Sequence, residues 1–349
     1  MFTYVPILRY QKEEKAAFKS IDLSSKFLPL IEIIHAKGQK KTADTFVKYY
    51  TEEFTSLENP ILIDIPTYMR ISNSTKNNVR PFLEPIIANP TLRAAHYNQL
   101  RNLNIIPVVS YIPNVADSRI VVNHLDKEFK SLLSFDRVAF RVFKSHFNEA
   151  IATIERLIRK DDILIFDLNK EYHNSKKLID EYYKKVAKLK KSIGCKTVLI
   201  RSVINDQLTN AELPHSIPID EYDNSLLKDY KSLGFDAFGD FAGIKKDNLT
   251  KGGPGGTCGF VFYHWDNNEY IGFKGNTPNK LTEYSSIIVP SVLKSNYYKA
   301  FSRKHHRECP GCQIIQRAKE DPLLEKVDQF AKWKRITVMH YLHTMEEFL

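Results

Sequence analysis

Nowhere in the chain do apolar residues run on for the ~18 positions that a membrane-crossing helix needs, so no such helix is expected. The N-terminal MFTYVPILRYQKEE has neither the basic region nor the apolar core of a secretory signal, which points to a cytoplasmic protein. Cysteine is scarce: four residues (Cys195, Cys258, Cys309, Cys312) in 349 do not make a disulfide framework. The chain contains no GxSxG elbow, phosphate-binding P-loop, HExxH pair, kinase signature or dinucleotide fingerprint. Serine-hydrolase chemistry, P-loop ATP hydrolysis and hydride transfer therefore have no support.

What is present is a substantial apolar fraction, 43%, enough for a large core, and a net charge of +10 from 51 basic and 41 acidic residues. The basic excess permits contact with nucleic acid, a nucleotide or an acidic partner. Part of it is spent on the solvated Lys-rich helix at 175–191.

The organising stretch is 163–169, ILIFDLN. Its short apolar run suits a strand buried on both faces, and it stops on the acid Asp167. The same pattern of apolar run, polar residue and helical segment recurs along residues 1–245, with strands expected at 4–8, 28–31, 61–63, 105–109, 137–142, 163–166, 197–200 and 235–238. Parallel neighbours need such helical crossovers, and eight βα units fill about 250 residues of a closed barrel. An open doubly wound sheet competes, but the turn after the first strand, RYQKEE, lacks the glycines of a dinucleotide site. The expectation is an α/β fold: a (β/α)8 TIM-like barrel over 1–245 with a C-terminal α+β appendage over 246–349. That appendage opens on KGGPGG (251–256), a flexible connector or anion-binding loop, followed by a hairpin and helices. A helix is expected at 220–233, and one long connection at 66–90.

In a parallel barrel the strand ends converge on one mouth, where such folds carry their active sites. Those ends hold Arg9, Glu32, Asp64, Ser110, Arg141, Asp167, Arg201 and Asp240. Carboxylates with guanidinium groups suit a hard cation, Mg or Mn, beside a phosphate. Polar residues also finish strands simply because the chain is leaving the core, and Arg–Asp pairs can neutralise each other. In the tail, Cys309-x-x-Cys312 with His340 and His343, and with His305 and His306 nearby, has the residue types of a structural zinc site. The alternatives are packing, or His340 acting at the mouth as acid or base.

The succession YVPILRYQKEE, LPLIEI, ILIDIP, IPVVSYI, VAFRV, ILIFDL and GDFAG, with a His/Cys stretch and a closing WK…HYLH, resembles the beta protein family of bacteria and their phages. By that resemblance Arg9, Glu14, Glu32, Asp64, Arg141, Asp167, Asp240 and His340 fall on motif positions. The family tail tends toward paired histidines where this chain has His340–Tyr341. The resemblance implies a barrel-like fold and a phage or mobile-element setting, with phage defence as the expected role, and no established activity. The two functional expectations are a metal-dependent phosphodiester hydrolase and a non-catalytic sensor or adaptor. In the first, Glu32, Asp64, Asp167, Asp240 and His340 would be catalytic, and Arg9, Arg141 and Arg201 would hold phosphate. The second would bind a phage component, nucleic acid or a partner effector, its aromatic tail (Tyr297, Tyr298, Phe301, Phe330, Trp333) supplying a binding surface. Folded back as a lid, the tail would bring His340 and His306 over the carboxylates.

Overall fold

The computed structural model describes residues 2–36, 43–246, 249 and 256–349. The connector at 251–255 thus lies outside the described residues. Eight parallel strands close a barrel: β1 (Tyr4–Arg9), β2 (Leu30–Glu32), β3 (Ile61–Asp64), β4 (Ile105–Val109), β5 (Ala139–Phe143), β6 (Ile163–Asp167), β7 (Lys196–Ile200) and, after one strand outside the barrel, β9 (Ala237–Asp240). With helices between the strands, this is the expected TIM-like architecture. Closure runs through β9 against β1, with Val5 opposite Gly239. A Cβ on Gly239 would lie 2.6 Å from the Val5 carbonyl oxygen, so a residue without a side chain is what lets the last strand seat.

Strand alternation sorts the apolar residues into two layers. Val5 and Ile7 of β1, Leu30 of β2, Leu62 of β3 and Ile163 and Ile165 of β6 belong to the cluster that fills the barrel. The alternate positions, such as Tyr4, Leu8, Ile31, Ile63, Leu164 and Phe166, join the larger cluster under the helices. Local signals set the helix ends. Asn89 accepts from the Leu92 amide to start Pro90–Asn98, Asp117 accepts from Arg119 to start Ser118–Lys130, and Gly194, at φ +84, closes Lys184–Ile193.

Two expectations change. The segment expected as a helix at 220–233 instead begins as the end of strand β8 (Ile217–Asp223), and only Leu226–Asp229 is α-helical. Ile217 and Ile219 alternate along it, and Pro218, which has no amide to donate, is tolerated because β8 is an edge strand. The connection at 66–90 holds a helix, Arg80–Ile87, whose first turn contains proline.

The hairpin falls where expected, as β10 (Gly259–His264) and β11 (Glu269–Lys274). β8 pairs antiparallel with β11, so the small sheet, ordered β10-β11-β8, takes one strand from between β7 and β9. Behind it the terminal helix Phe330–Phe348 packs on β10 and on the helices Lys12–Phe18 and Pro310–Glu320. Two ion pairs tie this helix to the first: Arg335 to Glu13 at 2.7 Å and Lys334 to the buried Glu14 at 3.2 Å. Among the described residues no helix is long and apolar enough to cross a membrane.

Candidate functional site

The inward register of the barrel continues two residues past its apolar layers, and there it turns charged. After Val5 and Ile7 comes Arg9; after Leu30, Glu32; after Leu62, Asp64; after Ala139, Arg141; after Ile165, Asp167. All five are buried at the mouth. Arg141 is the hub: its guanidinium lies 2.9 Å from Glu32, 2.7 Å from Asp64 and 2.6 Å from Asp167. Arg9 pairs with Glu32 at 3.2 Å, and the Tyr68 hydroxyl donates to Glu32 at 2.7 Å.

Arg93, which sequence reasoning did not single out, extends the network from the helix Pro90–Asn98. It meets Asp64 at 2.9 Å and Glu128 at 2.7 Å, and donates to the carbonyls of Ile65 and Val108. Neither Arg93 nor Glu128 stands on a strand, so strand ends alone did not reveal them.

Electrostatics follow from this pairing. Burial alone would raise the Glu32 and Asp167 carboxyls. For Glu32 the guanidiniums of Arg141 and Arg9 outweigh burial, for Asp167 Lys246 and Arg141 do, and both stay below the ordinary carboxylate range. Glu128 goes the other way: burial pushes it up to about 8 against the opposing pull of Arg93. Each oxygen of Glu32, Asp64 and Asp167 already accepts a hydrogen bond from the protein: Glu32 from Arg141, Tyr68 and Arg9, Asp64 from Arg93 and Arg141, and Asp167 from Arg141 and the Asn169 amide. The ring is internally neutralised, with its carboxylate oxygens turned to protein donors.

Above the ring opens a cavity of about 790 Å3, with Arg9, Asp167, Tyr68 and Lys246 among the residues lining it, Arg70 adding positive charge, and Lys144 and Lys170 paired with the lining carboxylates Glu171 and Asp206. The half-buried Lys246 ammonium sits 3.8 Å from the Tyr68 ring centroid and donates to Asn169 Oδ1 at 3.2 Å. Burial lowers its pKa to about 8, with Asp167 opposing.

Three of the expected site residues lie elsewhere. Arg201 follows Ile200 in the opposite register; its guanidinium stacks 4.8 Å from the Tyr172 ring and it does not line the cavity. Asp240 likewise follows Gly239 in the outward register. It accepts from Tyr4 Oη at 2.6 Å, the Ala242 amide at 2.8 Å, Asn224 Nδ2 at 3.2 Å and the Tyr341 hydroxyl. Burial raises the Asp240 pKa, and its Tyr341 and Tyr4 hydrogen bonds oppose the rise. The tail does reach the barrel, but it does so through Tyr341 rather than His340. His340 points instead into a cluster with His305, Cys309 and Cys312, and the His306 ring stacks on Tyr298 at 4.2 Å. The tail aromatics Tyr298, Phe301 and Trp333 are buried, so they are core rather than binding surface.

Tyr341→Phe deletes one donor to a buried carboxylate. It is expected to lower unfolding free energy by about 1.5–3 kcal/mol in urea titration, with ligand binding at the mouth unchanged.

A closed eight-stranded parallel α/β barrel with a buried charged ring at its strand C-termini defines the class of protein. Residues 4–346 match the model of the Beta protein family, and the chain belongs to that family. No curated protein and no solved structure matches the chain.

Proposed function

We propose that the barrel mouth binds a phosphate-bearing ligand, a nucleotide or nucleic-acid strand, as a sensor in the phage-associated setting that the family resemblance implies. The observation that carries this reading is the large cavity with Arg9 and Lys246 in its lining, held over a ring whose carboxylates are already paired. Guanidinium and ammonium groups are the natural partners of phosphate oxygens. With every oxygen of Glu32, Asp64 and Asp167 already held by a protein donor, an incoming phosphate would meet the lining's guanidinium and ammonium groups rather than unpaired carboxylates. The net charge of +10 favours the approach of a polyanion.

Titration calorimetry with ATP, a cyclic dinucleotide, inorganic phosphate, and single-stranded DNA and RNA tests the reading. At least one is expected to bind with an affinity that falls as salt rises. Lys246→Met is expected to weaken it about tenfold or more, the loss of one charge-assisted contact. No binding by any of them would overturn it.

The same lysine predicts a pH dependence. Its pKa in the folded protein is about 8, so the ammonium is present below that value and lost above it. Affinity is expected to decline as pH rises through 8 in the wild type and to stay level in Lys246→Arg, read from the same titrations.

A second reading, metal-dependent phosphodiester hydrolysis, is favoured by Asp167, a carboxylate that lines the cavity together with Lys246 and Arg9. It requires Glu32, Asp64 or Asp167 to exchange a protein donor for Mg or Mn. Cleavage of DNA, RNA or a cyclic nucleotide on adding Mg2+ or Mn2+, abolished in Asp167→Asn, would establish it over pure recognition.

A further inference from the structure

We propose that His305, Cys309, Cys312 and His340 form a tetrahedral zinc site that fastens the C-terminal part together, independently of what the barrel mouth binds. The four ligands come from three elements. His305 lies on Arg303–Glu308, Cys309 caps and Cys312 enters the first turn of Pro310–Glu320, and His340 lies on the terminal helix. Their relative exposures are 0%, 0%, 0% and 1%, and one ligand atom from each falls within 4.8 Å of all the others.

The spacing is that of a metal's coordination shell. Zinc bonds of about 2.3 Å to sulfur and about 2.0–2.1 Å to nitrogen, at tetrahedral angles, put two nitrogens about 3.3–3.4 Å apart and a sulfur and a nitrogen about 3.5–3.6 Å apart. In the structure His305 Nε2 and His340 Nδ1 are 3.4 Å apart, and His340 Nδ1 lies 3.6 Å from Cys312 Sγ and 3.8 Å from Cys309 Sγ.

The outer nitrogens decide how the inner ones are protonated. His340 Nε2–H donates to the Tyr263 carbonyl at 2.9 Å, and His305 Nδ1–H donates to the Glu347 carboxylate at 2.5 Å. In neutral imidazoles this leaves two lone pairs aimed at each other across 3.4 Å. A cation between them and the sulfurs satisfies all four at once, and a carbonyl and a carboxylate on the far nitrogens are the partners that orient metal-bound histidines. The Cys312 amide donates to Cys309 Sγ at 3.4 Å, support of the kind a thiolate needs. Gly311, between the cysteines, lets the turn lie on the terminal helix: a Cβ there would stand 2.8 Å from the Ile336 carbonyl oxygen and 3.0 Å from the His340 backbone nitrogen.

Two sulfurs and two imidazoles in a tetrahedron select zinc over Mg, Mn or Ca. Binding deprotonates both thiols, so two protons leave for each Zn2+ taken up and the site becomes neutral, which suits complete burial. The sequence named all four among its candidates but could not choose between His305, His306 and His343, because the choice depends on how the terminal helix docks.

The test is metal analysis of the untagged full-length protein. One zinc per chain is expected, released as a mercurial titrates two thiols. The cobalt-exchanged protein is expected to show thiolate-to-metal charge transfer and the intense visible bands of tetrahedral coordination. Cys312→Ser and His340→Ala should bring zinc to background, whereas His343→Ala should keep the full complement. Because ligand variants can fail to fold, the cobalt spectrum and mercurial release of the unaltered chain stand as separate readouts. Wild-type protein that takes up no zinc on reconstitution, a cobalt spectrum without thiolate bands, or zinc kept in Cys312→Ser and lost in His343→Ala would each overturn the proposal.

Discussion

Arg141→Ala is expected to lower the unfolding free energy by about 3–5 kcal/mol, the cost typical of removing one partner from a buried ion pair. Here the variant strips a common partner from three carboxylates at once. Glu32 would keep Arg9 and Tyr68, and Asp64 would keep Arg93. Asp167 would keep Lys246, the strongest influence favouring its charged form against burial, and the Asn169 amide. The remaining charges would be buried with fewer donors than acceptors, so protonation is the cheapest remedy. Arg141→Ala should therefore recover part of its lost stability as pH falls toward the carboxylate range, read as a smaller gap from wild type in urea unfolding at pH 5 than at pH 8. Arg141→Lys should not rescue it, because one ammonium cannot span the separate oxygens that the planar fork reaches. A loss below about 1 kcal/mol, the scale of an exposed pair, would show that the ring does not depend on its hub.

The barrel was legible because its strands are buried on both faces and therefore read as compact apolar runs punctuated by helices. The inward charged ring was half legible. The strand ends named its candidates, but the decisive signal was parity: Arg9, Glu32, Asp64, Arg141 and Asp167 continue the register of inward apolar residues, and Arg201 and Asp240 do not. That alternation is present in the sequence and could have separated the two groups. Arg93 and Glu128 were not recoverable in this way, since a helix residue's direction depends on how the helix docks. β8 was misread because IPIDEYD carries acids that suit a helix start, and only its pairing with β11 decides between strand and helix. Tyr341 was noted only as the neighbour of His340, yet its hydroxyl is the group of the tail that reaches Asp240.

Trp333→Ala should be the most damaging substitution in the C-terminal part, costing about 3–5 kcal/mol for a buried tryptophan. Its ring stacks on Tyr284 at 5.0 Å and meets Phe260 edge-on at 4.8 Å, and its Nε1–H donates to the Val327 carbonyl at 2.8 Å. It thereby joins the terminal helix to β10, to the π-helical segment Tyr284–Ile288 and to the chain just before the helix. Removing it opens a cavity at the seam and leaves the Val327 carbonyl with the Gln329 amide as its remaining donor. Trp333→Phe retains the stacking and loses mainly the hydrogen bond, so it should cost only about 0.5–1.5 kcal/mol for that bond plus the smaller ring's lost contacts. The terminal helix also carries Lys334, Arg335 and Tyr341, which grip Glu14, Glu13 and Asp240. Loosening it should therefore be felt in the barrel as well. Hydrogen exchange in Trp333→Ala should rise in Lys12–Phe18 and β9 together with the terminal helix. Faster exchange confined to the terminal helix would show instead that the barrel holds its first helix and last strand without the tail.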